Sequence, residues 1–313
     1  MATEANLEPW MLASDWRADA RPFVVVDFAQ WPADLPIDPL PCIPVLGVGP
    51  RDHPQAQRAD AFAEPPIGLA RLTAHIAAKP RAASAIVQLL RATAGAPPEH
   101  ALIAESFAYA TLQASQEHAA WRSNTGAALP ASPGLLHTHR SGDRLELVID
   151  RPHAHNAIDR TLRDALFDAF TLAALDESIS RILLTATGRV FSAGADLGEF
   201  GLTHDPAEAH AIRARTLPAW PMLRRARDCE VHIQGACIGA GLELAAFAGR
   251  VTASPSAWFQ LPELVMGVLP GFGGCVSLPR RIGRQRAALL MLSGKRISAP
   301  TALKWGLIDA LVD

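Results

Sequence analysis

CEVHIQGACIGAGLELAAFAG, running from Cys229 to Gly249, changes character twice. Val231 and Ile233 alternate with polar neighbours, as in a half-buried strand. Gly235, Gly239 and Gly241, mixed with Ala236 and Ala240, then make a turn of small residues. Leu242, Leu244, Ala245, Ala246, Phe247 and Ala248 suit a buried helix. A strand, a small-residue turn and a helix start leave free backbone N–H groups at one point. Small residues let a ligand come close to that backbone. The one charged group on the first helical turn is Glu243. It sets a carboxylate beside N–H donors in apolar surroundings.

The rest of the chain bounds what this stretch can serve. At 313 residues it holds two domains or one large one. It is 49% apolar and 19% charged, enough for a sizeable core and too apolar for global disorder. The net charge of −2 gives no electrostatic case for nucleic acid or an anionic membrane. Cys42, Cys229, Cys237 and Cys275 are scattered with no C-x-x-C pair. That supports neither a zinc site nor a disulfide framework, and it fits a reducing cytoplasm. The start, MATEANLEPWMLASDW, has early acids and no long apolar core, unlike a signal peptide. No apolar run reaches the roughly 18 residues of a membrane span.

Taken in order, residues 1–20 are polar and expected to be loosely held. FVVVDF (Phe23 to Phe28) and Val45 to Val48 read as strands, with a proline-rich break between them. Residues 67–121 have helical spacing, with Pro80 ending one helix and starting the next. Glu99 to Trp121 reads as one long helix carrying the only tyrosine, Tyr109. RSNTGAALPASP (residues 122–133) is rich in breakers and sets a domain boundary. Beyond it, Leu135 to Arg140 and Leu145 to Ile149 form a hairpin around Ser141-Gly142-Asp143. A helix over Arg160 to Leu175, a strand over Ile182 to Thr185 and a turn leading to a helix over Phe191 to Phe200 follow. Residues 206–227 are helical but interrupted by Pro218 and Pro221. Helices over Arg284 to Leu292 and Ala299 to Trp305, then a strand over Leu307 to Val312, finish the chain. Alternating strands and helices mean α/β layers.

Four chemistries compete for this frame. A dinucleotide site would use Gly235-x-x-x-Gly239-x-Gly241, but a dehydrogenase of the short-chain type needs a Tyr with a Lys four residues on. Gln113 holds that place after Tyr109, and a lone glycine pattern is weak. A metal would need more than His137 and His139, or His153 and His155, which have no carboxylate or cysteine at ligand spacing. A serine nucleophile lacks its G-x-S-x-G elbow, so Ser192 reads as structural. An oxyanion site fits best. Ala193-Gly194-Ala195-Asp196 and Gly239-Ala240-Gly241 are both small-residue turns into helices, each able to present an N–H. Glu243 and Glu263 each sit just inside an expected helix start. Either acid alone reads as a residue favoured at helix N-termini; two acids with two donor turns read as a site.

From about residue 135 onward the chain is similar to the crotonase superfamily, the enoyl-CoA hydratases and isomerases. RPHAHNAID, RVFSAGADLGEF, GACIGAGLELA, FQLPELVMGVLPGFGG and SGKRISAPTALKWGLIDALV carry the resemblance, in the family's order and spacing. The resemblance implies a crotonase-like spiral of ββα units over 131–313. Residues 1–130 are then an additional N-terminal α/β region of mixed strand and helix. It implies an acyl-CoA thioester substrate, with coenzyme A part of the substrate and no separate cofactor or metal. The thioester oxygen would lie between the backbone N–H groups of Ala195 and Ala240, with Glu243 and Glu263 as the hydratase pair.

On this resemblance Glu243 positions and deprotonates water for C3, and Glu263 delivers the proton to C2. It also implies a cytoplasmic homo-oligomer, such as a trimer, in fatty acid metabolism. The family's further helical segment after a GLID-type strand is not in these residues, and the N-terminal region is expected to pack in its stead. Ala240 stands where many relatives have Gly, which keeps the N–H and narrows the site. Arg280, Arg281, Arg284 and Arg286 read as a solvated face or as contacts to CoA phosphates. The leading expectation is an enoyl-CoA hydratase-like lyase. An isomerase or other acyl-CoA enzyme on the same scaffold, using one glutamate, and a non-catalytic acyl-CoA-binding subunit are the alternatives.

Overall fold

The computed structural model describes residues 21–124 and 132–312. The expected loose start and most of the breaker-rich boundary, 125–131, lie outside them.

Strands β1 (Val24–Asp27), β2 (Val45–Val48) and β3 (Ala61–Phe62) form a parallel sheet in that order. Side chains alternate between its faces. Val24, Val26 and Val45 pack with Phe28, Trp31 and Ile37 in a small separate cluster. Phe23, Val25 and Leu46 belong to the main core. Four helices follow: α1 (Leu69–Ala78), α2 (Pro80–Ala92), α3 (Pro98–Gln113) and α4 (Gln116–Asn124). Pro80 and Pro98 each open a helix, where a missing N–H costs nothing. The long helix expected over 99–121 is two. Its break at residues 114–115 has no Gly or Pro. Ser115 ends the first helix and accepts the N–H of His118 at 3.2 Å, acting as a cap for the second.

The second part begins with the expected hairpin, β4 (Leu135–Ser141) and β5 (Arg144–Asp150). Helix α5 (Arg160–Leu175) follows, capped by Asp159, whose carboxylate accepts from Leu162 at 2.8 Å. Then come β6 (Arg181–Ala186), α6 (Pro206–Thr216) and α7 (Ala219–Arg224). The Cys229–Gly249 stretch resolves into β7 (Cys229–Ile233), β8 (Ala236–Ile238) and α8 (Ala240–Ala245). Next are β9 (Arg250–Ala253), β10 (Trp258–Gln260) and a 3-10 turn over Glu263–Met266. The remaining elements are α9 (Gly274–Ile282), α10 (Arg284–Ser293), β11 (Ile297–Ser298), α11 (Ala299–Trp305) and β12 (Ala310–Leu311).

Two sheets build this part. One runs β12-β9-β7-β6-β5-β4, parallel except for the β4–β5 hairpin, and the other runs β11-β10-β8. The chain therefore alternates between sheets: β7 lies in the first and β8 in the second, then α8; β9 lies in the first and β10 in the second, then a helical turn. This is the crotonase-type spiral of ββα units. β8 escapes a reading of the sequence because ACI is short and sits among glycines. Gly235 makes the change of sheet possible: its φ is +58°, and a Cβ there would lie 2.1 Å from the carbonyl of Arg189.

The first part packs onto the second through α1, α2 and α3 against α9 and α10, and one hydrophobic cluster contains residues of both. The arginines read as a solvated face or phosphate contacts also make contacts within the chain, and Arg280 is exposed. Arg284 bonds Asp60 at 3.1 Å and Arg286 bonds Glu64 at 2.9 Å. Arg280 donates to Ala96 O at 2.6 Å, and Arg281 pairs with Asp309. Asp60 is fully buried, but Arg91, Arg284 and the N–H of Val45 all meet it. A buried charge is tolerated when paired in this way. Most of these partners lie 180 or more positions away, so spacing alone could not reveal them.

Candidate active site

The two small-residue turns meet. Ser192 bridges Cys237 in parallel, and Ile238 donates to Ser192 O at 2.9 Å. This brings Gly194 (φ +98°) against Gly239 (φ +47°): a Cβ on either would lie 3.7 Å from the other's Cα. Both need glycine for their dihedrals, and a Cβ would also lie 3.2 Å from Ile238 O at Gly194 and 2.7 Å from Glu263 Oε1 at Gly239. The residues that follow them are Ala195 and Ala240. Neither N–H has a hydrogen-bond partner among the described residues. The helix expected after Ala195 is only a 3-10 turn, Leu197–Glu199, capped by Asp196. The loop, rather than an α-helix start, therefore sets the Ala195 N–H.

Glu243 lies on the first turn of α8 and is 2% exposed. Its Oε2 accepts N–H bonds from Phe272 at 2.6 Å and Gly274 at 2.8 Å. Burial outweighs those two donors and pushes its carboxyl up to about 7. Glu263 is 9% exposed. It opens a 3-10 turn rather than the expected α-helix, so it has little helix dipole to lean on. Its Oε2 is buried without a partner, and its Oε1 stands 2.7 Å from where a Cβ on Gly239 would be. Burial, and then the charge of Glu243, push it well above the ordinary carboxylate range. Ala195, Ala240, Glu243 and Glu263 line one cavity of about 90 Å³. All four residues singled out in the sequence are therefore brought together.

Three residues of this neighbourhood are not among those expected to form this site. Tyr109 of α3 lines the same cavity. Its ring lies against Gly271, where a Cβ would fall 2.2 Å from Cδ2, and the guanidinium of Arg213 sits 4.4 Å from the ring centroid on α6. Burial raises the phenol pKa and keeps the hydroxyl protonated. One helical turn earlier, Glu105 is 1% exposed and accepts N–H bonds from Gly273 at 2.7 Å and Cys275 at 2.8 Å. Burial raises its pKa, and the charge of Glu243 adds to that. Successive N–H groups from Phe272 to Cys275 thus alternate between Glu243 and Glu105, so the two carboxylates together hold the start of α9. Glu105 and Tyr109, at i and i+4 on one face of α3, were the signal available in the sequence.

The other candidates are accounted for structurally. Ser192 is fully buried, donates to Asn156 O at 2.8 Å and accepts from Gly194 at 3.1 Å. His137 bonds Asp150 at 2.7 Å. Among the described residues no helix is long and apolar enough to cross a membrane.

Known proteins are similar to this chain in sequence and fold. A family model described as enoyl-CoA hydratase/isomerase matches residues 145–313, more than half of the chain. The 2,3-dehydroadipyl-CoA hydratase of Escherichia coli K12 is 36% identical over 166 residues, 53% of this chain and 64% of that protein. The chain thus spans just under two thirds of the length of such curated relatives. An enoyl-CoA hydratase structure from Thermoplasma volcanium GSS1 has 36% identity and a TM-score of 0.51, covering 57% of this chain and 72% of that one. One from Geobacillus kaustophilus HTA426 has 30% identity and a TM-score of 0.52, covering 57% and 68%. Helix α3 lies outside the family match, whereas Ala195, Ala240, Glu243 and Glu263 lie inside it. The chain belongs to the enoyl-CoA hydratase/isomerase family.

Proposed function

We propose that this protein adds water across the C2–C3 double bond of a 2-enoyl-CoA thioester. The observation that carries the reading is the pairing, in one cavity, of two unpartnered N–H groups with two buried carboxylates of unequal proton affinity. The thioester oxygen is held by the N–H groups of Ala195 and Ala240. They stabilise the negative charge that gathers on it as C3 is attacked. Glu243, pushed up to about 7, is substantially ionised near neutrality and takes a proton from the attacking water. Glu263 has no N–H donors on Oε2 to stabilise its anion, so it keeps its proton at that pH and gives it to C2. The water oxygen bonds to C3, one water proton goes to Glu243, and the proton of Glu263 completes C2. Different environments for two like groups separate the base from the acid.

Assaying hydration of 2-enoyl-CoA thioesters of several chain lengths, with Glu243→Gln and Glu263→Gln, tests this. Turnover by the parent protein and its loss in both variants is expected. Full hydration by either variant overturns the pair. Double-bond migration without hydration places the chain with the isomerases. Tight thioester binding with no turnover makes it a binding subunit.

A further inference from the structure

A second cavity of about 180 Å³, partly open to solvent, adjoins the one that holds the glutamates. Tyr109, Ala195, Phe200 and Phe272 line both. A group attached to the acyl carbons near Ala195 therefore has a path into it. Its charged side chains are engaged with one exception. Arg160 pairs with Glu199 at 3.6 Å, and Arg163 with Asp164 at 2.7 Å. Asp159 and Asp196 both meet Arg151, at 3.5 and 2.6 Å.

Arg213 is the exception. It reaches only neutral acceptors, all at long range: Ser106 Oγ at 3.3 Å, Ser106 O at 3.4 Å and Gln113 Oε1 at 3.4 Å. No carboxylate of a described residue lies within ion-pair distance of it; the Glu105 carboxyl acts on it only from farther away. Its guanidinium stays charged at any working pH. A partly buried cation held by three weak contacts and a tyrosine face is under-satisfied, and a cavity beside it has room for an anion. Helix α3 completes the setting: Tyr109 and Gln113, four residues apart on one face, flank the guanidinium, and the Tyr109 hydroxyl has no partner among the described residues.

We propose that Arg213, with the Tyr109 hydroxyl, recognises a carboxylate at the far end of the acyl group, so that the preferred substrates are CoA thioesters of dicarboxylic acids. The proposal rests on the acyl-CoA reading above. Arg213 stacks on Tyr109, which itself lines the glutamate cavity, so a single side chain separates the guanidinium from that cavity. The phosphates of coenzyme A are held away from the thioester sulfur by the whole pantetheine arm. The anion that meets Arg213 is therefore on the acyl side.

Saturated thioesters cannot be hydrated, so their binding reads this preference without requiring turnover. Titration calorimetry would compare succinyl-, adipoyl- and suberoyl-CoA, each with its isopropyl-ended isostere, on the full chain. For the best-fitting length the dicarboxylic thioester is expected to bind at least about tenfold more tightly, as for one charge-assisted contact in a sheltered site. Arg213→Gln should erase the difference, and Arg213→Lys should restore part of it. Equal or weaker binding of all three dicarboxylic thioesters overturns the proposal and needs no variant that folds. A preference that survives Arg213→Gln also overturns it. So does an equal weakening of both partners in a pair by Arg213→Gln, which would place the contact on coenzyme A itself. If the preference is present but no 2-enoyl-CoA is hydrated, the recognition stands and the hydratase reading fails.

Discussion

The glycine turns of residues 132–312 and helix α3 of residues 21–124 face the same cavity, and they reach it by opposite routes. Each turn makes its contribution locally. Gly194 and Gly239 adopt positive φ, touch, and leave the next N–H free, so a run of four or five residues specifies the whole device. Helix α3 contributes only through packing. Glu105 finds its two donors 168 and 170 residues away, and Tyr109 finds its seat on Gly271. Local devices of the first kind tolerate no change of residue type. Contributions of the second kind can be altered one at a time, and the effect depends on what fills the gap.

This contrast orders the expected effects of substitution. Glu243→Gln and Glu263→Gln keep side-chain shape and remove the base or the acid, and each should lower kcat by about 10²–10⁴. The double variant should fall little further than the worse single one, which steady-state kinetics on one enoyl-CoA will show. Gly239→Ala comes next. Its Cβ would lie 2.7 Å from Glu263 Oε1, on a backbone at φ +47°. A loss of about 10² in kcat is expected, together with a lower melting temperature from about 1–3 kcal/mol of strain. An unchanged kcat would show that the glycine turn does not position Glu263.

The α3 side should give smaller changes in rate. Gly271→Ala drives a Cβ into the Tyr109 ring, and about a tenfold loss in kcat/KM is expected, with kcat less affected. Glu105→Ala leaves the N–H groups of Gly273 and Cys275 buried and unpaired. Denaturant unfolding should show about 2–4 kcal/mol of lost stability. Its effect on kcat should be well below that of Glu243→Gln. Equal losses from Glu105→Ala and Glu243→Gln would erase the distinction between the two regions.

The same contrast explains what could be read before the structure was known. The spiral's helices, the hairpin and both donor turns were legible because each follows from residues close in sequence. Helix α5 was placed at both ends because Asp159 caps it and its apolar spacing is regular. Ala195, Ala240 and Glu243, three of the four expected site residues that line one cavity, lie on or beside a small-residue turn, and Glu263 follows Pro262. The reading failed where a cap replaced a breaker, as at Ser115, and where three residues sufficed for a strand, as in β8. It also failed wherever the partner was remote. Arg284 and Arg286 looked solvated because Asp60 and Glu64 are more than 220 residues distant. For the same reason nothing in the sequence ties Arg213 to this site, and Tyr109 is legible only as a tyrosine without a lysine partner.

The pH dependence of kcat/KM with a good 2-enoyl-CoA substrate tests the division of labour between the glutamates most directly, because it reports the free protein's acid and base. Glu243 must be ionised to accept a proton, so activity should fall as pH drops through about 7, where burial has moved its carboxyl. Glu263 must be protonated, so activity should fall again at higher pH as it loses its proton. The predicted profile is a bell whose alkaline limb is absent from the residual activity of Glu263→Gln. An acid limb near the ordinary carboxylate value of ~4.5, or an alkaline limb unchanged in Glu263→Gln, would contradict the account.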